Sequence, residues 1–197
     1  MWMAVRRILV LGMLFGLISA CTSPPVAPPE TSLTTSREPW VLIDTKTDTL
    51  SIMQGQQPVR VFPRIAVGRS GVGLKVRRGD NKTPLGVFRV GWFNDQSRFK
   101  TFIGLDYPNL DYAERALREH RIDWLTYEQV RAAWANGHTP PQNTLLGGQI
   151  GIHGVGIEFP QIHSAGINWT NGCIALDNQQ IAVLRSWVKK GTRVEIR

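Results

Sequence analysis

The chain has 197 residues, a formal net charge of +8 and two cysteines. The length suits one domain with a substantial core. Two cysteines are too few for a disulfide framework, and no apolar run reaches the roughly 20 residues of a membrane-spanning helix. The positive charge is uneven, because positions 60–100 hold ten lysines and arginines but only two acidic residues. This pattern predicts a basic face, which favours an anionic polymer or surface as partner or serves solubility alone.

The N-terminal segment, residues 1–21, has the features of an export signal. A basic pair, Arg6-Arg7, precedes the apolar stretch Ile8–Ile18, and small residues follow. This order predicts a signal peptide, and the proline-rich residues 22–39 predict an extended tether. Residues 40–197 remain as one domain. Because an exported protein rarely meets nucleic acid, we expect no nucleic acid partner for the basic face.

The end of this signal, Ile18-Ser19-Ala20-Cys21, resembles a bacterial lipobox. The resemblance implies that Cys21 is lipidated and becomes the mature N-terminus, which would attach the protein to a membrane. Ordinary cleavage near Ala20, with Cys21 incidental, is the alternative. Thr22 stands where an aspartate would imply retention at the inner membrane. The resemblance therefore implies an exported, periplasmic protein anchored to the outer membrane by lipid.

The first half of the domain has the pattern of β-strands. Short runs of apolar and β-branched residues, separated by turn signals, predict four strands and a glycine-rich basic loop at residues 68–84. The predicted strands are Trp40–Asp44, Thr49–Met53, Pro58–Val67 and Leu85–Trp92. The short connections favour local antiparallel pairing.

The middle of the domain predicts a helical insertion. Asp111–Glu114 and Thr126–Gln129 each have the spacing of a capping box and predict two helix starts. Gly137 is expected to end the second helix. The insertion, residues 107–141, lies between the two β-rich halves and could act as a lid over a cleft.

The end of the domain predicts a return to β-structure and one last helix. Leu145–His153 has β character, Asp177 or Asn178 is the expected helix cap, and Thr192–Ile196 is a final strand. The predicted fold is therefore a mainly β, sandwich-like domain with a helical insertion and a C-terminal helix.

Cys173 is the cysteine that remains in the domain once the signal is removed, so it cannot form an internal disulfide. Such a thiol either fills space in a core or is kept for its reactivity. His153 ends a predicted strand and can supply the base that a cysteine nucleophile needs. Gly154 lets the chain turn and offers a carbonyl to one ring nitrogen. Gly172 permits a tight turn whose backbone N–H groups could bind an oxyanion.

A metal site is the alternative for these residues. His153, His163 and Cys173 could bind a metal ion. The fourth ligand would then be Asp177 or water. Because this spacing matches no common zinc pattern, we expect no metal.

After His153, a spacer of sixteen residues leads to Thr170-Asn171-Gly172-Cys173-Ile174. This arrangement resembles the motif of the L,D-transpeptidase catalytic domain, the YkuD-like family of bacterial cell-wall enzymes. The family motif is a histidine, a spacer, and Ser/Thr-His-Gly-Cys before a hydrophobic residue. Thr83-Pro84-Leu85-Gly86 and Leu105-Asp106-Tyr107-Pro108-Asn109 resemble two further family segments. The resemblance covers residues 40–197.

The resemblance implies a role for each residue of the motif. Cys173 would be the nucleophile, His153 its base, and the carbonyl of Gly154 the group that orients His153. The fold implied is the β-rich, sandwich-like domain that the strand pattern also predicts.

The turn before the nucleophile would bind the oxyanion and the substrate through Thr170, Asn171 and Gly172, together with the N–H group of Cys173. Two positions depart from the family pattern. Asn171 replaces the usual second histidine, and Ala175 stands where an arginine commonly follows. Neither departure removes the nucleophile or the base, so an active enzyme is expected. The missing arginine could not bind a carboxylate of the stem peptide.

The reaction implied by the resemblance is a two-step acyl transfer. The thiolate would attack the diamino-acid carbonyl of a peptidoglycan tetrapeptide stem and release D-alanine. An amine of a second stem, or of a lipoprotein lysine, would then accept the acyl group. No cofactor is implied. The implied partners are peptidoglycan stem peptides and a membrane reached through the N-terminal lipid, and we expect a monomer.

Two other functions fit the same sequence. Water could replace the acceptor amine, which would make the protein an L,D-carboxypeptidase or a peptidoglycan-amide hydrolase. A non-catalytic lipoprotein that binds the wall through its basic face is the alternative from another class.

Overall fold

The computed structural model describes residues 38–197. The predicted signal peptide, Cys21 and the predicted tether up to residue 37 lie outside the described residues. Pro39, predicted as the last residue of the tether, is instead the first residue of a strand. Within the described range, no helix combines the length and apolar composition needed to cross a membrane.

The described residues form a mainly β domain with short helices between the later strands. The strands are β1 (Pro39–Asp44), β2 (Thr49–Gln54), β3 (Gln57–Pro63), β4 (Val72–Gly73), β5 (Thr83–Pro84), β6 (Gly86–Ser97), β7 (Lys100–Leu105), β8 (Gly151–His153), β9 (Ile174–Ala175) and β10 (Arg193–Ile196). The helices are α1 (Leu110–Arg118), α2 (Trp124–Ala135), α3 (Pro160–Ser164) and α4 (Asn178–Trp187). The predicted mainly β fold with a helical insertion and a C-terminal helix is confirmed.

Within the described residues, one mixed sheet has the strand order β3-β2-β1-β10-β6-β7-β8-β9. The first three strands form an antiparallel meander, and β10 returns to pair in parallel with β1 and antiparallel with β6. At the other end of the sheet, β8 pairs antiparallel with β7 and parallel with β9. This end carries both residues of the predicted catalytic pair.

The core lies on the face of the sheet that helix α4 covers. Alternate residues of neighbouring strands point inward, as the two-residue repeat of a strand requires, and Val41, Ile43 and Val194 are fully buried. Helix α4 contributes Ile181 and Leu184 to the same cluster. Each such side chain stabilises the fold by about 1.5–3 kcal/mol when it leaves water. This packed core supports the sheet whose last two strands, β8 and β9, lie at the predicted site.

Two helix starts differ from the prediction by two or three residues. The N-cap of α1 is Asn109, whose Oδ1 accepts a hydrogen bond from the N–H of Tyr112 at 3.1 Å. The N-cap of α2 is Asp123, whose Oδ1 accepts from the N–H of Thr126 at 2.8 Å. Asp111 lies in the first turn of α1, where a carboxylate complements the helix dipole. The prediction for α4 was closer, because Asp177 is its N-cap within a complete capping box.

Several strands differ in length from the prediction. The predicted strand Pro58–Val67 ends at Pro63, because Arg64 has a φ of +59° and redirects the chain. The predicted β segment Leu145–His153 contracts to β8, since Gly147 and Gln149 also have positive φ. Strand β6 runs to Ser97, past the predicted end at Trp92. Strand β7 and helix α3 were not predicted.

Candidate active site

The pairing of β8 with β9 brings His153 and Cys173 to the same face of the sheet. Ile152 lies opposite Ile174, and His153 lies opposite Ala175. Cys173, one residue earlier, is therefore level with Gly151, two residues before His153. Residues two apart in a strand project to the same side. Both side chains line one cleft of about 750 Å³.

The imidazole of His153 is held in one tautomer. Its Nδ1 lies 2.7 Å from the carbonyl oxygen of Gly154. Because a carbonyl oxygen can only accept, Nδ1 carries the proton, and the neutral ring keeps the lone pair of Nε2 as a base. The ring stacks on Phe99 with 4.2 Å between centroids, and Trp169 meets it edge-on at 5.6 Å.

Gly154 allows this arrangement because a side chain would not fit there. A Cβ at this position would lie 2.6 Å from the carbonyl oxygen of Phe99 and 2.7 Å from Oδ1 of Asn178. Asn178 Oδ1 also accepts a hydrogen bond from the N–H of Gly156 at 3.0 Å. Asn178 Nδ2 donates to the carbonyl oxygen of Gly156 at 2.8 Å. The backbone after His153 is therefore held in place by close packing at Gly154 and by the two hydrogen bonds at Gly156.

The turn that carries Cys173 is organised by two threonines. Thr170 Oγ1 donates to the carbonyl of Cys173 at 2.7 Å and accepts from the N–H of Gly172 at 3.1 Å. Thr83 Oγ1 donates to the carbonyl of Gly172 at 3.0 Å and accepts from the N–H of Gly68 at 2.8 Å. Gly172 has a φ of +127°, a region that side chains rarely adopt. These bonds hold the nucleophile's turn in one conformation.

The same bonds change the expected oxyanion site. The N–H group of Gly172, predicted as one of three donors, already donates to Thr170 Oγ1. The N–H groups of Asn171 and Cys173 remain as candidates of the predicted three. Thr170, predicted to contact substrate, lines the cleft but also has this structural role.

The thiol of Cys173 is protonated at rest. The residue is partly exposed to the cleft, and its Sγ lies 3.4 Å from the carbonyl oxygen of Gln149. Burial of the sulfur raises the pKa of Cys173 to about 11, against the smaller opposing effects of the Gly151 backbone and the Lys75 ammonium. At neutral pH the thiol therefore needs a base to become a nucleophile.

His153, which lines the same cleft as that thiol, is neutral. The side chain is 2% exposed, and burial lowers its pKa from 6.5 to about 4, although the hydrogen bond to Gly154 acts in the opposite direction. The imidazole is therefore uncharged and able to accept a proton across the neutral pH range.

The buried imidazole makes the stability of the fold depend on pH. As the pH falls below about 6.5, the unfolded chain binds a proton at His153, whereas the folded chain does so only near pH 4. The stabilisation is thus complete above pH 6.5 and is lost as the pH falls toward 4. We expect a loss of about 2.5 kcal/mol in unfolding free energy between pH 7.5 and 4.5 from this residue.

Urea denaturation at the two pH values measures this loss. His153→Gln is the control, because the variant lacks the titrating group. The pH dependence of the variant should be smaller by the stated amount, while the contribution of His163, whose pKa burial also lowers, remains in both proteins. An unchanged dependence in the variant would rule out this effect.

The walls of the cleft come from segments that the sequence analysis did not single out. The β6–β7 hairpin and the loop after β8 supply an aromatic wall, and two arginines lie among the lining residues. The aromatic residues are Trp92, Phe99, Phe102, Phe159 and Trp169, and the arginines are Arg69 and Arg98. The density of aromatic residues in the hairpin was the available signal, but it is equally typical of core strands.

The helical insertion does not cover the cleft. No residue between 107 and 141 is among the described residues that line it, so the predicted lid over the site is wrong. Helices α1 and α2 instead pack on each other around a second small core that includes Ala113, Ala116 and Val130. The segment next to the cleft is the loop between β8 and β9, which contains α3.

The residues of the alternative metal site have other contacts. Asp177 caps α4 and accepts from the N–H groups of Gln179 and Gln180. His163 is buried in α3 and does not line the cleft. Among residues 38–197, no group of three histidine, cysteine, aspartate or glutamate side chains could hold a metal ion.

Comparison with known proteins identifies one family. The profile of the L,D-transpeptidase catalytic domain, YkuD, matches residues 38–196. This range contains the whole cleft and both strands that carry His153 and Cys173. No curated protein sequence matches the chain significantly.

Two solved structures resemble the fold. The helical cell shape determining protein Pgp2 from Campylobacter jejuni is 21% identical with a TM-score of 0.56, covering 82% of this chain and 48% of that chain. Bd1075 from Bdellovibrio bacteriovorus is 20% identical with a TM-score of 0.52, covering 83% of this chain and 48% of that chain. The chain thus spans about half the length of these proteins, and the likeness concerns the fold.

Proposed function

This chain belongs to the L,D-transpeptidase catalytic domain family, and from that premise we propose that it transfers an acyl group from a peptidoglycan tetrapeptide stem through Cys173. The family acts on peptidoglycan stem peptides. The observation that carries the proposal is that the thiol of Cys173 and the neutral imidazole of His153 line the same cleft. The 2.7 Å hydrogen bond from Nδ1 of His153 to Gly154 leaves Nε2 free to take the thiol proton.

In the first step, Nε2 of His153 accepts the proton of Cys173 as Sγ bonds to the carbonyl carbon of the diamino acid. The negative charge passes to the carbonyl oxygen, where the N–H groups of Asn171 and Cys173 are the candidate donors. When the intermediate collapses, the C–N bond to D-alanine breaks and His153 returns the proton to the leaving amine. A thioester on Cys173 remains.

In the second step, an acceptor amine attacks the thioester and gives its proton to His153. The C–S bond breaks, and the sulfur recovers a proton from the imidazolium. The enzyme returns to the neutral thiol and imidazole that the two pKa values favour at rest. If water takes the place of the amine, the same steps release a tripeptide, so the residues of the site allow both reactions.

The location of the protein is proposed from the sequence alone. A signal peptide at residues 1–21, lipidated Cys21 and a tether that follows it and ends before strand β1 would hold the domain in the periplasm at the outer membrane, within reach of peptidoglycan. This arrangement supports a substrate in the cell wall. A monomer is part of the same proposal.

The test is a product analysis with the full chain in detergent. The protein is incubated with a defined muropeptide tetrapeptide, and the products are followed by mass spectrometry, with Cys173→Ala as the matched blank. A cross-linked dimer with loss of D-alanine would establish transpeptidation. Tripeptide alone would establish the carboxypeptidase in its place. The assay is run with stems and with a lipoprotein lysine as acceptors. If the parent protein gives no more product than the blank with either acceptor, the result would favour a non-catalytic, wall-binding protein.

A further inference from the structure

The lining of the cleft, as far as the structure describes it, includes positive charge and no acidic side chain. Of the described residues that line it, two are arginines and none is aspartate or glutamate. A low-dielectric cleft of one sign concentrates ligands of the opposite sign. The stem peptide that the proposed function requires has carboxylates, and Ala175 stands where the family motif that the sequence resembles commonly has an arginine.

Arg69 and Arg98 differ in the contacts that their guanidinium groups already make. Arg98 stacks over the ring of Phe99, with 4.7 Å from Cζ to the ring centroid, and its Nη1 lies 3.9 Å from Oε2 of Glu158. Within the part of the chain that the structure describes, Arg69 forms no ion pair. Arg69 is therefore the arginine that an incoming carboxylate meets without competition.

The backbone of Arg69 is attached directly to the turn of the nucleophile. Its N–H donates to the carbonyl oxygen of Thr170 at 2.9 Å, and the N–H of Thr170 donates to the carbonyl of Val67 at 3.2 Å. Asn168 Oδ1 accepts from the N–H of Val67 at 2.9 Å. Since Thr170 also holds the carbonyl of Cys173, the backbone of Arg69 is anchored to the turn that carries the thiol.

We propose that Arg69 binds the terminal D-alanine carboxylate of the donor stem, in place of the arginine that Ala175 removes. This inference rests on the proposed function for its substrate. In the stem, that carboxylate is separated from the attacked carbonyl carbon by only the amide nitrogen and one carbon. The guanidinium of Arg69 lines the cleft next to the turn of Cys173, and it can pair with this carboxylate in the bidentate geometry that arginine and carboxylate favour. Arg69 would thereby select stems that end in D-alanine at the fourth position.

The test measures binding in a protein that cannot turn over. The full chain with Cys173→Ala is titrated by calorimetry with a tetrapeptide that ends in D-alanine and with the same peptide as its C-terminal amide. The parent should bind the acid about 10- to 100-fold more tightly than the amide, as expected for a hydrogen-bonded charge pair. Arg69→Gln should bind both peptides equally, with the affinity that the parent has for the amide.

Arg98→Gln is the matched control, because it removes the other arginine of the cleft and should keep the preference for the acid. If Arg69→Gln does not fold by circular dichroism, Arg69→Lys replaces it and should show a reduced preference. An undiminished preference in the Arg69 variants, or no preference in the parent, would overturn the inference. Product formation by the wild-type chain is measured separately. Loss of turnover with the preference intact would therefore count against acyl transfer and not against this role of Arg69.

Discussion

Replacing Cys173 with serine is expected to lower the release of D-alanine from a tetrapeptide by about 10³-fold or more. A serine hydroxyl occupies nearly the same space but is a much weaker acid than the thiol, and the neutral imidazole of His153 is a weak base because burial lowers its pKa to about 4. Such a pair cannot generate an alkoxide at a useful rate. Losses of this size are typical when a nucleophile that acts together with its base is replaced.

The measurement is the initial rate of D-alanine release by mass spectrometry at neutral pH. The control is the unfolding free energy in urea, which should change by less than about 0.5 kcal/mol, because the substitution is nearly isosteric. His153→Gln serves as a second variant that removes the base. A rate within tenfold of the wild type for a folded Cys173→Ser protein would exclude Cys173 as the nucleophile.

Replacing Asp80 with asparagine is expected to cost about 3–5 kcal/mol of unfolding free energy. Asp80 Oδ1 lies 2.6 Å from Nζ of Lys75, and both side chains are almost fully buried. Burial alone would raise the pKa of Asp80, but hydrogen bonds from Lys75 and from the N–H groups of Lys82, Arg77 and Val76 outweigh it and keep the pKa below its ordinary value. Asparagine would leave the ammonium of Lys75 buried without a counter-charge.

Urea denaturation at pH 7 measures the loss, and two variants show its cause. The double variant Lys75→Met/Asp80→Asn removes the ammonium as well and should recover part of the stability. Glu128→Gln, which breaks an exposed pair with Arg131, should change stability little, because solvent screens such pairs. An Asp80→Asn protein as stable as the wild type would show that this pair does not hold the loop before Thr83.

Loss of the ion pair between Asp80 and Lys75 is also expected to destabilise the turn that carries Cys173. Lys82 and Thr83 follow Asp80 directly, and Thr83 Oγ1 holds the carbonyl of Gly172. The segment at residues 68–84, predicted as a glycine-rich basic loop, thus supports the turn of Cys173. Part of the positive charge of this loop is not at the surface, because Lys75 is buried and paired with Asp80.

Local sequence determined the elements whose signals act over a few residues. The capping box at Asp177 and Gln180, the antiparallel pair β1 and β2 with its short turn, and the mainly β fold follow from residue pattern and from hydrogen bonds between near neighbours. The motif from His153 to Cys173 was recognised by its resemblance to the family pattern, because each end of the motif is contiguous in the chain. These features need no knowledge of the remaining chain.

Tertiary structure alone decided how the site is supported and enclosed. The bond from Thr83 to Gly172 joins residues 89 apart, and the bond from Val67 to Asn168 joins residues 101 apart. Neither partner has a local pattern that specifies the other, because loop closure over such distances depends on the packing of the whole sheet. The same reason explains the failed lid prediction, since α1 and α2 lie between the β-rich halves in sequence but away from the cleft in space. The candidate nucleophile and base could thus be proposed from the chain, whereas the aromatic wall and the position of Arg69 required the fold.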